Sequence, residues 1–68
     1  MAISYKKLWK LLIDRDMKRE ELRTAAGIST NTMAKLSKNE NVNTGMLVKI
    51  CSTLGCDISD IMEITEDN

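Results

Sequence analysis

Apolar side chains recur at intervals of three and four residues along most of the chain, a spacing that places them on one face of a helix. In the first such stretch, from about Ser4 to Asp14, Ser4 is the expected N-cap. Its inward face is predicted to hold Leu8, Trp9, Leu12 and Ile13. Further helices are predicted over about 19–25, 30–37 and 44–54, and a last turn or two over about 57–63. Asn43 is the expected N-cap of the helix over 44–54, and Gly55 is expected to end it. The pattern predicts a compact all-α domain of five helices.

The central segment, residues 20–36, carries two short apolar stripes that are interrupted once, at Gly27. Gly27 can adopt the positive φ that ends a helix sharply. Ser29 can cap the next helix by accepting a hydrogen bond from the N–H of Asn31 or Thr32. Two short helices joined by such a turn have the layout of a helix-turn-helix, with the motif at about 18–37. The stripes consist of Leu22, Ala25 and Ala26, and then of Met33 and Leu36.

This segment resembles the helix-turn-helix of the phage-repressor and Cro-type family, often called the XRE family. The match rests on Leu22, Ala26, Gly27, Ile28 and Ser29, followed by Thr32, Met33 and Leu36. The resemblance extends over nearly the whole chain and implies a repressor-like DNA-binding domain. One position departs from the family pattern, because Arg23 stands where the family usually has Ala. Either the two helices splay slightly or the Arg23 side chain bends outward.

The charge of the chain is zero overall but unevenly distributed. Residues 1–38 hold nine basic and four acidic side chains, a net charge of +5, and residues 39–68 hold one basic and six acidic side chains, a net charge of −5. Because charges are screened over about 8 Å in physiological salt, a duplex bound at the basic half would hardly sense a distant acidic end. The alternative is that both halves are simply solvated.

The second helix of the motif begins with short, polar, uncharged side chains, which suit the reading of base edges. In the docking geometry of this motif, that helix lies in the major groove. Thr30, Asn31 and Lys35 are therefore the predicted base readers. Asn31 can pair with an adenine edge, and Lys35 can reach guanine O6 or N7. For Thr30 and Asn31 the alternative is capping or solvent exposure, and Lys35 could be an ordinary surface lysine.

Phosphate contacts are expected where free helix N–H groups and nearby donors favour an anion. The predicted phosphate-binding residues are Lys18, Arg19, Ser29, Thr32, Lys38, Asn41, Asn43 and Thr44. A DNA-binding domain of this size is expected to act as a homodimer on a palindromic DNA site. The residues predicted as possible dimer contacts are Ile58, Ile61, Met62 and Ile64, of which Ile58 and Ile61 could alternatively close the core.

Several classes of function are excluded or disfavoured. The 68 residues suit one domain, with an acidic frayed tail expected at about 64–68. We expect no membrane span and no signal peptide, and therefore a cytoplasmic protein. Cys51 and Cys56, without any His, do not suffice for a metal site and are expected to be core thiols. We expect no cofactor, no small-molecule ligand and no enzymatic activity.

The sequence therefore predicts a regulator of transcription that binds specific double-stranded DNA, with repression as the expected mode. The alternative is a protein-interaction module, antitoxin-like or adaptor, that keeps the fold and binds a protein through its acidic half.

Overall fold

The computed structural model describes residues 1–66, which form four α-helices and a small two-stranded sheet. A single 3-10 turn, Ile58–Asp60, stands between the last helix and the last strand. The helices are α1 (Lys6–Asp14), α2 (Arg19–Ala26), α3 (Thr30–Ser37) and α4 (Thr44–Leu54). The strands are β1 (Ala2–Ser4) and β2 (Glu63–Thr65).

The helix ends within the central half of the chain confirm the predicted caps. Ser29 accepts a hydrogen bond from the amide of Thr32 at 3.1 Å, and Asn43 accepts one from the amide of Met46 at 2.9 Å. Gly27 and Gly55 end α2 and α4 in the left-handed conformation, with φ of 70° and 66°. These caps satisfy backbone groups that a helix leaves without internal partners, so they determine where each helix begins or ends.

The prediction of five helices is wrong, because the segment after Gly55 forms only a 3-10 turn. Asp57 accepts a hydrogen bond from the amide of Ile58, and the Asp60 carboxylate accepts one from the amide of Asp57 at 3.0 Å. This reciprocal pair closes the segment within four residues. Ile61 follows at once and is completely buried, so the chain turns into the core before a second helical turn can form.

A two-stranded antiparallel sheet, which the helical pattern did not predict, joins the two ends of the chain. Ile3 is opposite Ile64, and Ala2 is opposite Thr65. The expected frayed tail is therefore corrected in part, since residues 64 and 65 belong to β2, while residues 67 and 68 lie outside the described residues. The sheet also delays the first helix: Tyr5 takes the N-cap position, and Ser4 Oγ accepts a hydrogen bond from the amide of Lys6.

The core lies where the helices and the 3-10 turn meet. Helix α2 packs against α4 and α3, and the 3-10 turn packs against α1 and α4. Helix α1 contributes Leu8 and Leu12, but Ile13 is 74% exposed, contrary to the predicted inward face. Ile13 lies about 100° round the helix from Leu12 and about 140° from Leu8, which carries it beyond the edge of the buried face. The largest fully buried side chains are Tyr5, Leu8, Leu22, Leu36, Ile50 and Ile61.

Helix α4 is the longest element, with 11 residues. No helix within residues 1–66 combines the length and the apolar character that crossing a membrane requires.

Candidate nucleic-acid interface

The turn between α2 and α3 is built from Gly27, Ile28 and Ser29. Gly27 ends α2, Ile28 is buried in the core, and Ser29 caps α3. These three residues therefore define where α2 ends and where α3 begins. The structure thus contains the helix-turn-helix that the sequence pattern predicts.

Arg23 is half-buried, and its side chain contacts Glu20 and the turn. Its guanidinium forms an ion pair with Glu20, and Nε donates to Glu20 Oε2 at 3.0 Å. The hydrogen bond from Arg23 lowers the pKa of the Glu20 carboxyl below its usual range, and the same bond raises the pKa of Arg23. A second guanidinium nitrogen donates to the carbonyl of Ile28 at 3.5 Å, so Arg23 also borders the turn.

The outer face of α3 holds the predicted base readers. Thr30, Asn31 and Lys35 are all exposed, whereas Met33 and Leu36 attach the opposite face to the core. The spacing of Asn31 and Lys35, four residues apart, places them on neighbouring turns of one face. Their roles stay predictions, but their placement leaves each side chain accessible to a ligand.

Ala34 is a member of this face that the sequence reasoning missed. It is exposed and lies three residues after Asn31, so the two are neighbours on the helix surface, with Lys35 on the other side of Asn31. A methyl side chain allows close approach and can contact a thymine methyl group. Ala34 could have been identified from the sequence, because it follows Asn31 by three residues and therefore lies on the same face of the helix, away from Met33.

The first turn of α3 combines a cap with two hydroxyl groups. The hydroxyl oxygens of Ser29 and Thr32 are 3.0 Å apart, and Thr32 is half-buried. No acidic residue occurs in the first turn of α3 or of α4. The partial positive charge of both helix N-termini is therefore not neutralised by a side chain in that turn. Both termini suit the phosphate contacts predicted for Ser29, Thr32, Asn43 and Thr44.

The loop from α3 to α4 is held by Tyr5, which lies in the core. The amide of Tyr5 donates to Asn39 Oδ1, and its hydroxyl donates to the carbonyl of Glu40, each at 3.0 Å. Asn39 adopts a left-handed conformation with φ of 57°. Burial raises the pKa of the Tyr5 phenol. The predicted phosphate contacts Lys38 and Asn41 are exposed on either side of this fixed segment.

The N-terminus of α2 is less suited to a phosphate than predicted. Glu20 and Glu21 both occupy its first turn, and Glu21 Oε1 accepts a hydrogen bond from the amide of Lys18 at 2.7 Å. These carboxylates already neutralise the helix end. The Arg19 guanidinium, the other predicted phosphate contact here, lies over the ring of Trp9 and donates to Ser37 Oγ.

The predicted dimer contacts divide into two groups. Ile61 is completely buried, so it belongs to the core and not to a surface available to a partner. Ile58 and Ile64 are 36% and 63% exposed, and Met62 is half-buried. Ile58, Met62 and Ile64 therefore stay candidates for contacts with a second copy.

The two cysteines are free, with Cys51 buried and Cys56 half-buried. Burial, followed by the proximity of Cys56, raises the pKa of the Cys51 thiol to about 11. Within residues 1–66, no group of three or more His, Cys, Asp and Glu side chains is placed to hold a metal ion.

Comparison with known proteins agrees with this geometry. A model of the Cro/C1-type HTH DNA-binding domain family matches residues 7–67. A solved structure described as the transcriptional regulator VanUg is 61% identical, with a TM-score of 0.89. The alignment covers 91% of this chain and 83% of that chain. No curated protein matches the chain.

Proposed function

The chain belongs to the Cro/C1-type helix-turn-helix DNA-binding domain family, and we propose that it regulates transcription by placing α3 in the major groove of a specific operator. The observation that carries this proposal is the outer face of α3, where Asn31, Ala34 and Lys35 are exposed side by side. This face can read a base sequence through one amide, one methyl and one ammonium group. The similarity to a protein described as a transcriptional regulator supports the same role.

In this proposal, the N-termini of α3 and α4 hold the DNA backbone on either side of the reading face. Their first turns lack acidic residues, and Lys38 lies between the two helices. The N-terminus of α2 contributes less, because Glu20 and Glu21 occupy it. The proposed site of action is the cytoplasm, and the proposed mode is repression by occupying the operator.

The experiment that tests this function is selection of bound duplexes from a random pool, with binding measured by fluorescence anisotropy over a range of salt concentrations. We expect enrichment of a short motif, and we expect Asn31→Ala to weaken binding to it by about 5- to 150-fold, the equivalent of 1–3 kcal/mol. Absence of duplex binding at low salt would contradict the proposal and would favour the protein-interaction module.

We also propose that two copies bind an inverted repeat. Half-sites on such a repeat are about 34 Å apart, and the longest extent of this chain is 33 Å. Two copies side by side can therefore present their α3 helices to successive turns of the groove. The apolar side chains of Ile58, Met62 and Ile64 are the proposed contacts.

Ile64→Ser and Val48→Ser form a matched pair for this second proposal, because the two side chains are 63% and 55% exposed. Sedimentation velocity on the selected duplex should show two copies of the wild type and of Val48→Ser at concentrations where Ile64→Ser binds as one. Equal behaviour of the two variants would exclude Ile64 from the contact.

A further inference from the structure

The Arg19 side chain connects three helices at one point. Arg19 is the first residue of α2, and its guanidinium carbon lies 3.8 Å from the centroid of the Trp9 ring on α1. One guanidinium nitrogen donates to Ser37 Oγ at 3.0 Å, and Ser37 is the last residue of α3. We call this set, Trp9, Arg19 and Ser37, the Arg19 bridge.

Helix α3 is attached near its C-terminal end by the buried Leu36 and by the loop that follows, which Tyr5 holds through Asn39 and Glu40. It is eight residues long, and its buried side chains are Met33 and Leu36. Its N-terminal end is attached by the cap at Ser29 and by the buried Ile28 before it. The Arg19 bridge adds a further contact at the exposed Ser37, where it opposes rotation of α3 about its own axis.

The Arg19 guanidinium already has partners within the protein, unlike a side chain that is free to bind a phosphate. Its planar guanidinium is stacked on an indole face, an arrangement favoured by the electrostatics of the ring. Glu20 and Glu21 follow directly in the same helical turn, and their negative charges oppose an approaching phosphate. The stack and the bond to Ser37 therefore account for this side chain without any contribution from DNA.

We propose that Arg19 is a positioning residue, which holds the C-terminal end of α3 against α1 so that Asn31, Ala34 and Lys35 meet the bases at a constant angle. The inference rests on the proposed function, and it assigns Arg19 to the orientation of the reading helix instead of to phosphate binding. Loss of the bridge should reduce discrimination between sequences more than it reduces attraction to DNA in general.

The test compares affinity for the selected operator with affinity for a random duplex, for four variants whose fold is checked by circular dichroism and thermal unfolding. Ser37→Ala removes the acceptor without a change of charge. Arg19→Lys keeps the charge but loses the planar stack. Because the Arg19–Ser37 bond is exposed to solvent, we expect each to lower the ratio of specific to non-specific affinity by about two- to fivefold.

Arg19→Ala separates positioning from phosphate binding. A phosphate contact, once removed, makes the dependence of log affinity on log salt less steep by about one. We expect the slope of Arg19→Ala to equal that of the wild type, together with a lower specificity ratio. Ile50→Val, which alters the core away from the bridge, is the control: it should lower the unfolding temperature and leave the ratio unchanged.

The outcomes distinguish this inference from the proposed function. If the wild type enriches an operator but Ser37→Ala and Arg19→Lys retain its full specificity ratio, the positioning role is wrong while the function stands. A slope reduced by one in Arg19→Ala would assign Arg19 to a phosphate instead. Failure of the wild type to bind any duplex would overturn both.

Discussion

Lys35 and Lys49 are chemically identical, but only one of them lies beside the proposed base-reading residues. Both are exposed lysines on helices, and Lys49 is the one basic residue after position 38. Only Lys35 shares a face with Asn31 and Ala34. The difference between them is therefore the neighbourhood that α3 provides, and not their charge or exposure.

We expect Lys35→Gln to weaken operator binding by about 5- to 150-fold, because a contact to a guanine edge is worth about 1–3 kcal/mol. Lys49→Gln removes the same charge away from the proposed interface and should change affinity less than about twofold. Anisotropy titrations at one salt concentration measure both. Equal losses in the two variants would mean that only overall charge matters.

We expect the stability of the fold to fall at alkaline pH because of the Cys51 thiol. Burial is the main cause of its raised pKa, which is about 11 compared with an ordinary value of 9.0. The folded state therefore favours the protonated thiol. A group whose pKa rises on folding stabilises the fold fully below the unfolded value, so this contribution is present below pH 9 and is lost as pH rises from 9 to 11.

Urea unfolding at pH 7 and at pH 10.5 tests this titration. We expect the wild type to lose up to about 2 kcal/mol more than Cys51→Ala between these values, since one pKa unit is equivalent to 1.36 kcal/mol. Cys56→Ala is the control and should retain most of the loss, because burial of Cys51 remains. An identical pH dependence in the wild type and Cys51→Ala would exclude Cys51 as the source.

At the scale of elements, the short helices of this chain are defined by their ends. Helices α2 and α3 have eight residues each, which is too few to be stable in isolation. Gly27, Ile28 and Ser29 close one helix and open the next within three positions. The start of α3 is therefore set by this turn, in which each of the three residues has its own structural role.

Gly27→Ala should destabilise the fold by about 1 kcal/mol or more, because a β-carbon disfavours the observed φ of 70°. No atom lies within 4 Å of the position that a β-carbon would occupy, so the penalty is conformational and not steric crowding. Gly27→Asn should cost less, since Asn tolerates the left-handed region. Thermal unfolding compares the two, and equal costs would point to another cause.

At the scale of the whole molecule, the separation of charge allows a protein of zero net charge to attract DNA. The basic half contains α1, α2 and α3 and has a net charge of +5. The acidic half contains α4, the 3-10 turn and β2. Because the two halves of the sequence differ in charge, the total charge alone does not describe the attraction to a duplex.

We expect log affinity to fall with log salt at a slope of roughly −4 per monomer, as for four or five neutralised phosphates. Lys38→Gln should make this slope less steep by about one, because Lys38 is an exposed base at the end of α3, in the loop that leads to the N-terminus of α4. Lys49→Gln provides the matched loss of charge and should leave the slope unchanged. A slope near zero for the wild type would contradict the proposed phosphate contacts.

The sequence by itself determined the features that depend on neighbours within about four residues. The bounds of α3 and α4, the left-handed ends at Gly27 and Gly55, and the caps at Ser29 and Asn43 all follow from local hydrogen bonding and periodicity. The sequence pattern also identified Thr30, Asn31 and Lys35 as exposed positions of α3, although it missed Ala34. Such features were predictable because each one satisfies backbone groups with a side chain only two or three positions away.

Only the tertiary structure decided the features that join distant parts of the chain. Strands β1 and β2 pair residues about sixty positions apart, and three residues each are too few for a periodic signal. Ile61 entered the core and ended the expected fifth helix after one turn. Arg19 is exposed but contacts Trp9 and Ser37, because the packing of α1, α2 and α3 brings these residues within reach of its long side chain. These outcomes depend on how the helices assemble, which no local pattern specifies.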